Sequence, residues 1–378
     1  MTFDVSVIPT PCYVCEESKL KHNLRILARV QQQSGCKIIL ALKGFAMWST
    51  FPLIREVLYG ATASSLDEAR LAFEEMGREV HTYAPVYRAE EFEQILTYSD
   101  HIVFNSLSQW QAFKEKCHTH SSNVSCGIRV NPEYSEIEKE LYDPCGRYSR
   151  LGVVAADFHQ SDLKGIEGIH FHTHCANNSD TLERTLQVVE EKFKSVFPSL
   201  KWINFGGGHH ITRADYDVEK LISLIVDFKK RYNLEVYLEP GEAVGWQTGP
   251  LIASVLDIVH NEIDIAILDT SFAAHMPDCL EMPYRPEVRD AGKAGQYPHQ
   301  YRFGGISCLA GDVVGDYSFP TPLEIGSKVI FEDMIHYTIV KNNTFNGIRL
   351  PSIAIWREET GLEIIRRFGY EDYKNRLS

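Results

Sequence analysis

The stretch Cys36-Lys37-Ile38-Ile39-Leu40-Ala41-Leu42-Lys43 carries five consecutive apolar residues between two lysines. It is too short for a buried helix and reads as a strand. Seven further runs share its texture: Tyr59–Ser64, Glu79–Pro85, His101–Asn105, Val124–Val130, Ile166–Thr173, Trp202–Phe205 and Glu235–Leu238. Between them lie Leu66–Met76, Ala89–Leu96, Gln109–Cys117, Thr181–Phe197 and Asp217–Tyr232. These segments place apolar residues three and four apart, the helical spacing. Strands alternating with helices over about 210 residues predict a closed (β/α)8 barrel of the TIM type. A doubly wound open sheet shows the same alternation, and periodicity does not separate the two.

The texture changes after Val244. Ile252–His260, Ile263–Leu268, Lys328–Phe331 and Ser352–Trp356 read as strands between Gly, Pro and Asp turns, with few helical segments. The N-terminal Val5–Val14 also reads as extended and is suited to pair with that second sheet. The expected fold class is therefore α/β, with the barrel over residues 15–243. A mostly-β domain takes residues 1–14 and 244–378. Asn131–Arg150, rich in Pro, Gly, Tyr and charge, is the longest irregular insertion in the barrel half and is expected to be a mobile loop.

Composition narrows the function classes. The chain has 378 residues, 44% hydrophobic and 24% charged, with a formal charge of −13. That charge disfavours nucleic acid and acidic membrane surfaces, and it is permissive for a cationic substrate. No apolar run reaches the ~18 residues of a membrane span. Residues Met1–Thr10 lack the basic start and apolar core of a secretion signal. The nine cysteines form no close-spaced framework, as expected for reduced thiols in the cytoplasm.

Catalytic groups of a parallel barrel sit at the C-terminal strand ends. Those ends are Lys43, Ser64 and Ser65, Arg129, His172, Gly206–Gly208 and Glu239. A lysine closing an apolar run is partly desolvated, which favours the neutral amine needed for a Schiff base; a snorkelling lysine would look the same. Three glycines after a strand let backbone amides approach a phosphate, though a tight turn also needs glycine. A buried Glu239, followed by Pro240-Gly241, suits a pyridinium nitrogen; a solvated carboxylate at a turn is the plainer alternative. His170-Phe171-His172-Thr173-His174 places three imidazoles on one strand face, which a zinc hydrolase would use with His209 and His210. No carboxylate-rich second cluster completes such a site, and metal is the minority reading. Cys308, in Cys308-Leu309-Ala310-Gly311-Asp312, and Tyr337, before Thr338-Ile339, fit a buried hydrophobe and a core aromatic equally well.

Taken in order, these pieces resemble the alanine-racemase-like fold of the pyridoxal-phosphate decarboxylases, the family of ornithine and diaminopimelate decarboxylases. Ala41-Leu42-Lys43 resembles the motif of the Schiff-base lysine, and Phe171-His172 that of the histidine stacked on the cofactor ring. Gly206–Gly208 resemble the phosphate-binding glycines, and Glu239-Pro240-Gly241 the motif holding the pyridinium nitrogen. Tyr337-Thr338 with Thr344-Phe345-Asn346-Gly347 resembles the C-terminal motif whose tyrosine contacts the phosphate. His174-Cys175, Glu242 and Leu309 depart from the common pattern, and all three are similar to the branch acting on carboxynorspermidine and carboxyspermidine. So are Ser149-Arg150-Leu151-Gly152-Val153 and Ser307-Cys308-Leu309-Ala310-Gly311-Asp312.

The resemblance implies pyridoxal 5′-phosphate held by Lys43, His172, Gly206, Gly207, Gly208, Glu239, Gly241 and Tyr337. It implies Lys43, His172 and Cys308 as catalytic residues, with Cys308 reprotonating the product across a homodimer with shared sites. It places Asp312 near the substrate amine. The distal amines of a polyamine tail need anions, and Asp278 and Glu281 are the expected ones. No resident metal is expected. Decarboxylation of diaminopimelate or ornithine, amino-acid racemisation and a non-catalytic cofactor carrier are the remaining alternatives.

Overall fold

The computed structural model describes residues 3–137, 142–158 and 163–378. Residues 138–141 of the irregular insertion lie outside the described residues, as do residues 159–162. Two compact units divide the chain: Asn23–Val244, and a second made of the segment ending at His22 together with Gly245–Ser378.

The strands are β1 (Cys12–Glu16), β2 (Lys37–Ala41), β3 (Gly60–Ala63), β4 (Glu79–Tyr83), β5 (His101–Phe104), β6 (Ser125–Asn131), β7 (Val153–Val154), β8 (Gly168–His170), β9 (Trp202–Asn204) and β10 (Glu235–Leu238). Beyond them come β11 (Leu251–Asn261), β12 (Ile263–Leu268), β13 (Gly292–Lys293), β14 (His299–Gly304), β15 (Val313–Phe319), β16 (Lys328–Phe331), β17 (Ser352–Arg357) and β18 (Gly361–Arg366). In the first unit β2-β3-β4-β5-β6-β8-β9-β10 pair in parallel, and β10 returns to β2. That last pairing closes the barrel and excludes the open sheet.

Ile39, Val103, Trp202 and Tyr237 form one apolar cluster with Tyr83. They come from strands that are not all neighbours, so this cluster lies in the barrel interior. Gly127 and Gly168 make room for Trp202: a Cβ on Gly168 would stand 2.1 Å from the indole, and one on Gly127 2.3 Å. Helix Ser179–Phe193 begins at Asn178, whose side chain accepts from the Ser179 N–H, and buries Leu182, Leu186, Val189 and Phe193 at helical spacing.

The second unit is a sheet in the order β13-β15-β14-β12-β11-β1-β17-β18, with β16 on β11. β1 runs parallel to β17 and antiparallel to β11, so the N-terminal strand is part of this sheet. Its core gathers Ile8, Cys12, Val14, Ile252, Ile330 and Ala354. The extended reading of Val5–Val14 holds only in part. Val5–Val7 is a 3-10 turn, because the Asp4 side chain accepts from the Ser6 N–H at 2.9 Å and closes it locally. Tyr337 likewise opens a short helix, Tyr337–Lys341.

Candidate active site at the C-terminal end of the barrel

Lys43 stands two residues past β2. Its side chain is accessible to solvent yet hemmed in by protein, the condition of an amine in a recess at the barrel mouth. Burial and the nearby Arg129 charge lower its pKa, while Glu239 opposes them. Among the described residues the amine makes no hydrogen bond or ion pair, so an aldehyde would meet an unengaged nucleophile.

Glu239 follows β10. Burial alone would raise its pKa, but His170, His81 and Asn204 outweigh burial and hold it at about 2. The Asn204 Nδ2 donates to Glu239 Oε1 at 2.7 Å, and His170 Nε2 stands 3.4 Å from Oε2. An ionised carboxylate here fits a protonated pyridine nitrogen.

The glycine turn after β9 is already partly committed. The Gly206 N–H donates to Asn204 Oδ1 at 2.8 Å, and the Gly207 N–H donates to His172 Nδ1 at 2.9 Å. The Gly208 N–H is in no bond of this turn, so it is the amide of the three with capacity for a phosphate oxygen. Gly206 and Gly208 have φ of +72° and +81°, and a Cβ on Gly208 would fall 2.0 Å from the His174 carbonyl oxygen. Gly241 is equally confined, with its Cβ position 2.8 Å from the Ala41 carbonyl oxygen.

The bond from Gly207 fixes His172 as an imidazole whose proton is on Nε2, and burial keeps it neutral. Arg129 donates to the His172 carbonyl at 3.2 Å and lies 4.8 Å over the Tyr83 ring. Arg129 was visible as a strand end, but nothing in the sequence assigns it this contact. Asn204 and His170 were missed as partners of Glu239; their place at the ends of β9 and β8 was the available signal.

The three-histidine strand face is corrected by the structure. β8 stops at His170, and the imidazoles then diverge: His170 toward Glu239, His172 toward Gly207, and His174 against His209 with ring centroids 4.8 Å apart. A different group, Glu79, His81 and His101, has its ligand atoms within 4.8 Å of one another at the opposite ends of the strands. Its two imidazoles are stacked 4.0 Å apart at 9°. A metal must lie near each ring plane at ~2.0–2.1 Å from nitrogen, and near-parallel rings at that separation cannot both comply. Lys37 also lies 3.5 Å from Glu79. The group is a hydrogen-bonded floor, with Tyr237 donating to Glu79 at 2.7 Å.

In the second unit, Cys308 is exposed, and its N–H donates to Asn346 Oδ1 at 3.0 Å. Asp312, expected near a substrate amine, is buried and already accepts three backbone N–H groups: Phe272 at 2.6 Å, Ala273 at 3.0 Å and Ser307 at 3.1 Å. Asp278 is buried, with Oδ2 accepting from Tyr284 at 2.8 Å and Thr338 at 2.9 Å, and Oδ1 without a hydrogen bond among the described residues. Glu281 is exposed and ion-paired with Lys341. Tyr337 is half-buried at the start of its helix.

Known proteins share this architecture. Residues 12–335 match the model of a family described as pyridoxal-dependent decarboxylase, C-terminal sheet domain. The chain is 50% identical over 380 residues to a carboxynorspermidine/carboxyspermidine decarboxylase of Campylobacter jejuni, with 98% of each covered. It is 48% identical over 375 residues to a carboxyaminopropylagmatine decarboxylase of Synechocystis, covering 99% of this chain and 96% of that one. The crystal structure of carboxynorspermidine decarboxylase from C. jejuni, complexed with norspermidine, aligns at a TM-score of 0.92 and 49% identity over 98% of this chain and 100% of that one. Diaminopimelate decarboxylase from Helicobacter pylori, 18% identical over 98% of this chain and 97% of that one, shares the fold at a TM-score of 0.86.

Proposed function

The chain belongs to the pyridoxal-dependent decarboxylases, and we propose that it decarboxylates carboxynorspermidine and carboxyspermidine to norspermidine and spermidine. One observation carries this reading: an unengaged Lys43 amine and an ionised Glu239 share the barrel mouth of a chain half identical, end to end, to an enzyme of that name.

Pyridoxal phosphate, when bound, supplies an aldehyde for amines and a ring that accepts the electrons of the breaking C–C bond. Lys43 is the residue to hold it, its lowered pKa keeping a larger fraction of the amine neutral. Glu239 keeps a proton on the ring nitrogen. His172, neutral and pinned by Gly207, offers its face to the ring, and the Gly208 amide and Gly241 are the groups to meet the phosphate, their missing Cβ atoms letting the turns pack on the His174 and Ala41 carbonyls. Cys308, contributed across a homodimer, is the group to return a proton to carbon, and Tyr337 is a further phosphate contact. The nine free thiols suit a cytoplasmic setting. Among the described residues no helix is long and apolar enough to cross a membrane.

A second reading rests on the Synechocystis relative, whose named substrate ends in an agmatine. A guanidinium tail asks for a planar, bidentate carboxylate, whereas an ammonium needs only a point charge. CO2 release from carboxynorspermidine, carboxyspermidine and carboxyaminopropylagmatine, compared by kcat/KM, decides between them. The first reading fails if the agmatine compound is turned over best. Lys43→Ala is expected to lose both the visible absorbance of lysine-bound cofactor and turnover; retention of either refutes the assignment of Lys43.

A further inference from the structure

Asn204 ends β9 with its side chain fully buried between two groups of opposite demand. On one side the Gly206 N–H, which can only donate, bonds Oδ1 at 2.8 Å. On the other the ionised Glu239 carboxylate, which can only accept, bonds Nδ2 at 2.7 Å. These neighbours leave the amide a single orientation. The Glu239 N–H in turn donates to the Gly206 carbonyl at 2.8 Å, so carboxylate, amide and turn form a closed ring of bonds. His170 Nε2 stands 3.4 Å from the other carboxylate oxygen without a hydrogen bond, which leaves Asn204 as the side chain that donates to Glu239 among the described residues.

We propose that Asn204 is a positioning residue. It ties the carboxylate that serves the cofactor's ring nitrogen to the glycine turn that serves its phosphate, and keeps the proton on the nitrogen rather than on Glu239. The inference rests on the cofactor reading above. A donor on Oε1 makes the carboxylate less basic, so the proton shared with the ring stays on the ring side. An acceptor at the same place would do the reverse, since two carboxylates 2.7 Å apart must share a proton.

Asn, Asp and Leu have nearly the same shape, which separates the two bonds. Asn204→Asp keeps the acceptor for Gly206 and loses the donor to Glu239; Asn204→Leu loses both. If Asn204 serves only the turn, the aspartate variant behaves as wild type and the leucine variant does not. The proposal expects both holoenzymes to lose about tenfold to a hundredfold in kcat, the range for a hydrogen bond to a buried charge, with KM moving less. With 15N-labelled pyridoxal phosphate, the ring-nitrogen resonance should move toward that of an unprotonated pyridine in both. A wild-type kcat and resonance in Asn204→Asp overturn it.

If Asn204→Asp does not fold, the swap Asn204→Asp with Glu239→Gln restores the bond with its direction reversed. It should recover stability and cofactor binding without turnover; failure to recover them also overturns the proposal. Glu239→Gln alone is the control for the underlying reading. An unchanged nitrogen resonance there would remove Glu239 from its role, a failure distinct from that of Asn204.

Discussion

Among the described residues, Asp278 leaves Oδ1 buried without a hydrogen bond while Oδ2 is held by Tyr284 and Thr338. A buried carboxylate oxygen in that state is costly unless something cationic meets it. Glu281 differs, being exposed and already paired with Lys341, and an exposed ion pair contributes little. If the distal amines of the substrate are read by these acids, Asp278→Asn should lower kcat/KM by about tenfold to a hundredfold. Glu281→Gln should change it by less than about threefold. Steady-state kinetics on both carboxylated polyamines check this, and an unchanged Asp278→Asn enzyme would remove the acid from substrate binding. The sequence points to Lys43, Glu239 and the glycines because strand ends and turn residues are visible in a linear pattern. Asn204, His170 and Arg129 are visible there as strand ends too, but their contacts are not legible in that way. Their roles depend on which atom faces which across strands far apart in sequence, and an Asn before a glycine turn has many ordinary explanations.

The strands of the barrel show the same division between what pattern reveals and what needs coordinates. Short apolar runs separated by amphipathic helices announce the alternation, and the predicted runs fall on β2 to β6 and β8 to β10 within a few residues. Closure is not in the pattern, because an open sheet alternates in the same way; it appears only in the pairings of β5 with β6 and β10 with β2. β8 is shorter than its apolar run because the glycine turn crowds the chain just beyond it. A Cβ on Gly206 would lie 2.3 Å from the Phe171 carbonyl oxygen. The small residues of β6 and β8 have an equally local cause. Gly168→Ala would drive a methyl into the Trp202 indole, which is anchored by its Nε1 bond to Ser125 Oγ at 2.8 Å. Overpacking of this kind costs ~1–3 kcal/mol, and Gly127→Ala should cost a similar amount. Urea unfolding followed by tryptophan fluorescence measures both. A wild-type midpoint in each variant would mean that the indole can move aside, contrary to its anchoring.

The molecule as a whole buries neutral histidines in both of its units, and this sets the direction of its acid response. Burial lowers His81 and His209 in the barrel unit, and His275 in the second unit, to about 4. An unfolded histidine titrates near 6.5. Between these values the unfolded chain binds protons that the folded chain refuses, so stability is complete above pH ~6.5 and declines as pH falls toward 4. At pH 5 each group would cost about 2 kcal/mol. Three such groups approach the ~5–15 kcal/mol that holds a typical domain together. The depressed carboxylates do not confuse this window. Glu239, held at about 2 despite its burial, contributes stability that is fully present above its unfolded value of ~4.3 and lost only below it. The urea midpoint of the holoenzyme is therefore expected to fall steeply from pH 7 to pH 5. His209→Asn and His275→Asn should each flatten that slope, because each removes one group that must charge on unfolding. A midpoint that stays level across this interval would mean that these imidazoles are protonated in the folded protein, with acceptors to match. Every nitrogen without a bond among the described residues, such as His209 Nδ1 and His275 Nε2, would then need one.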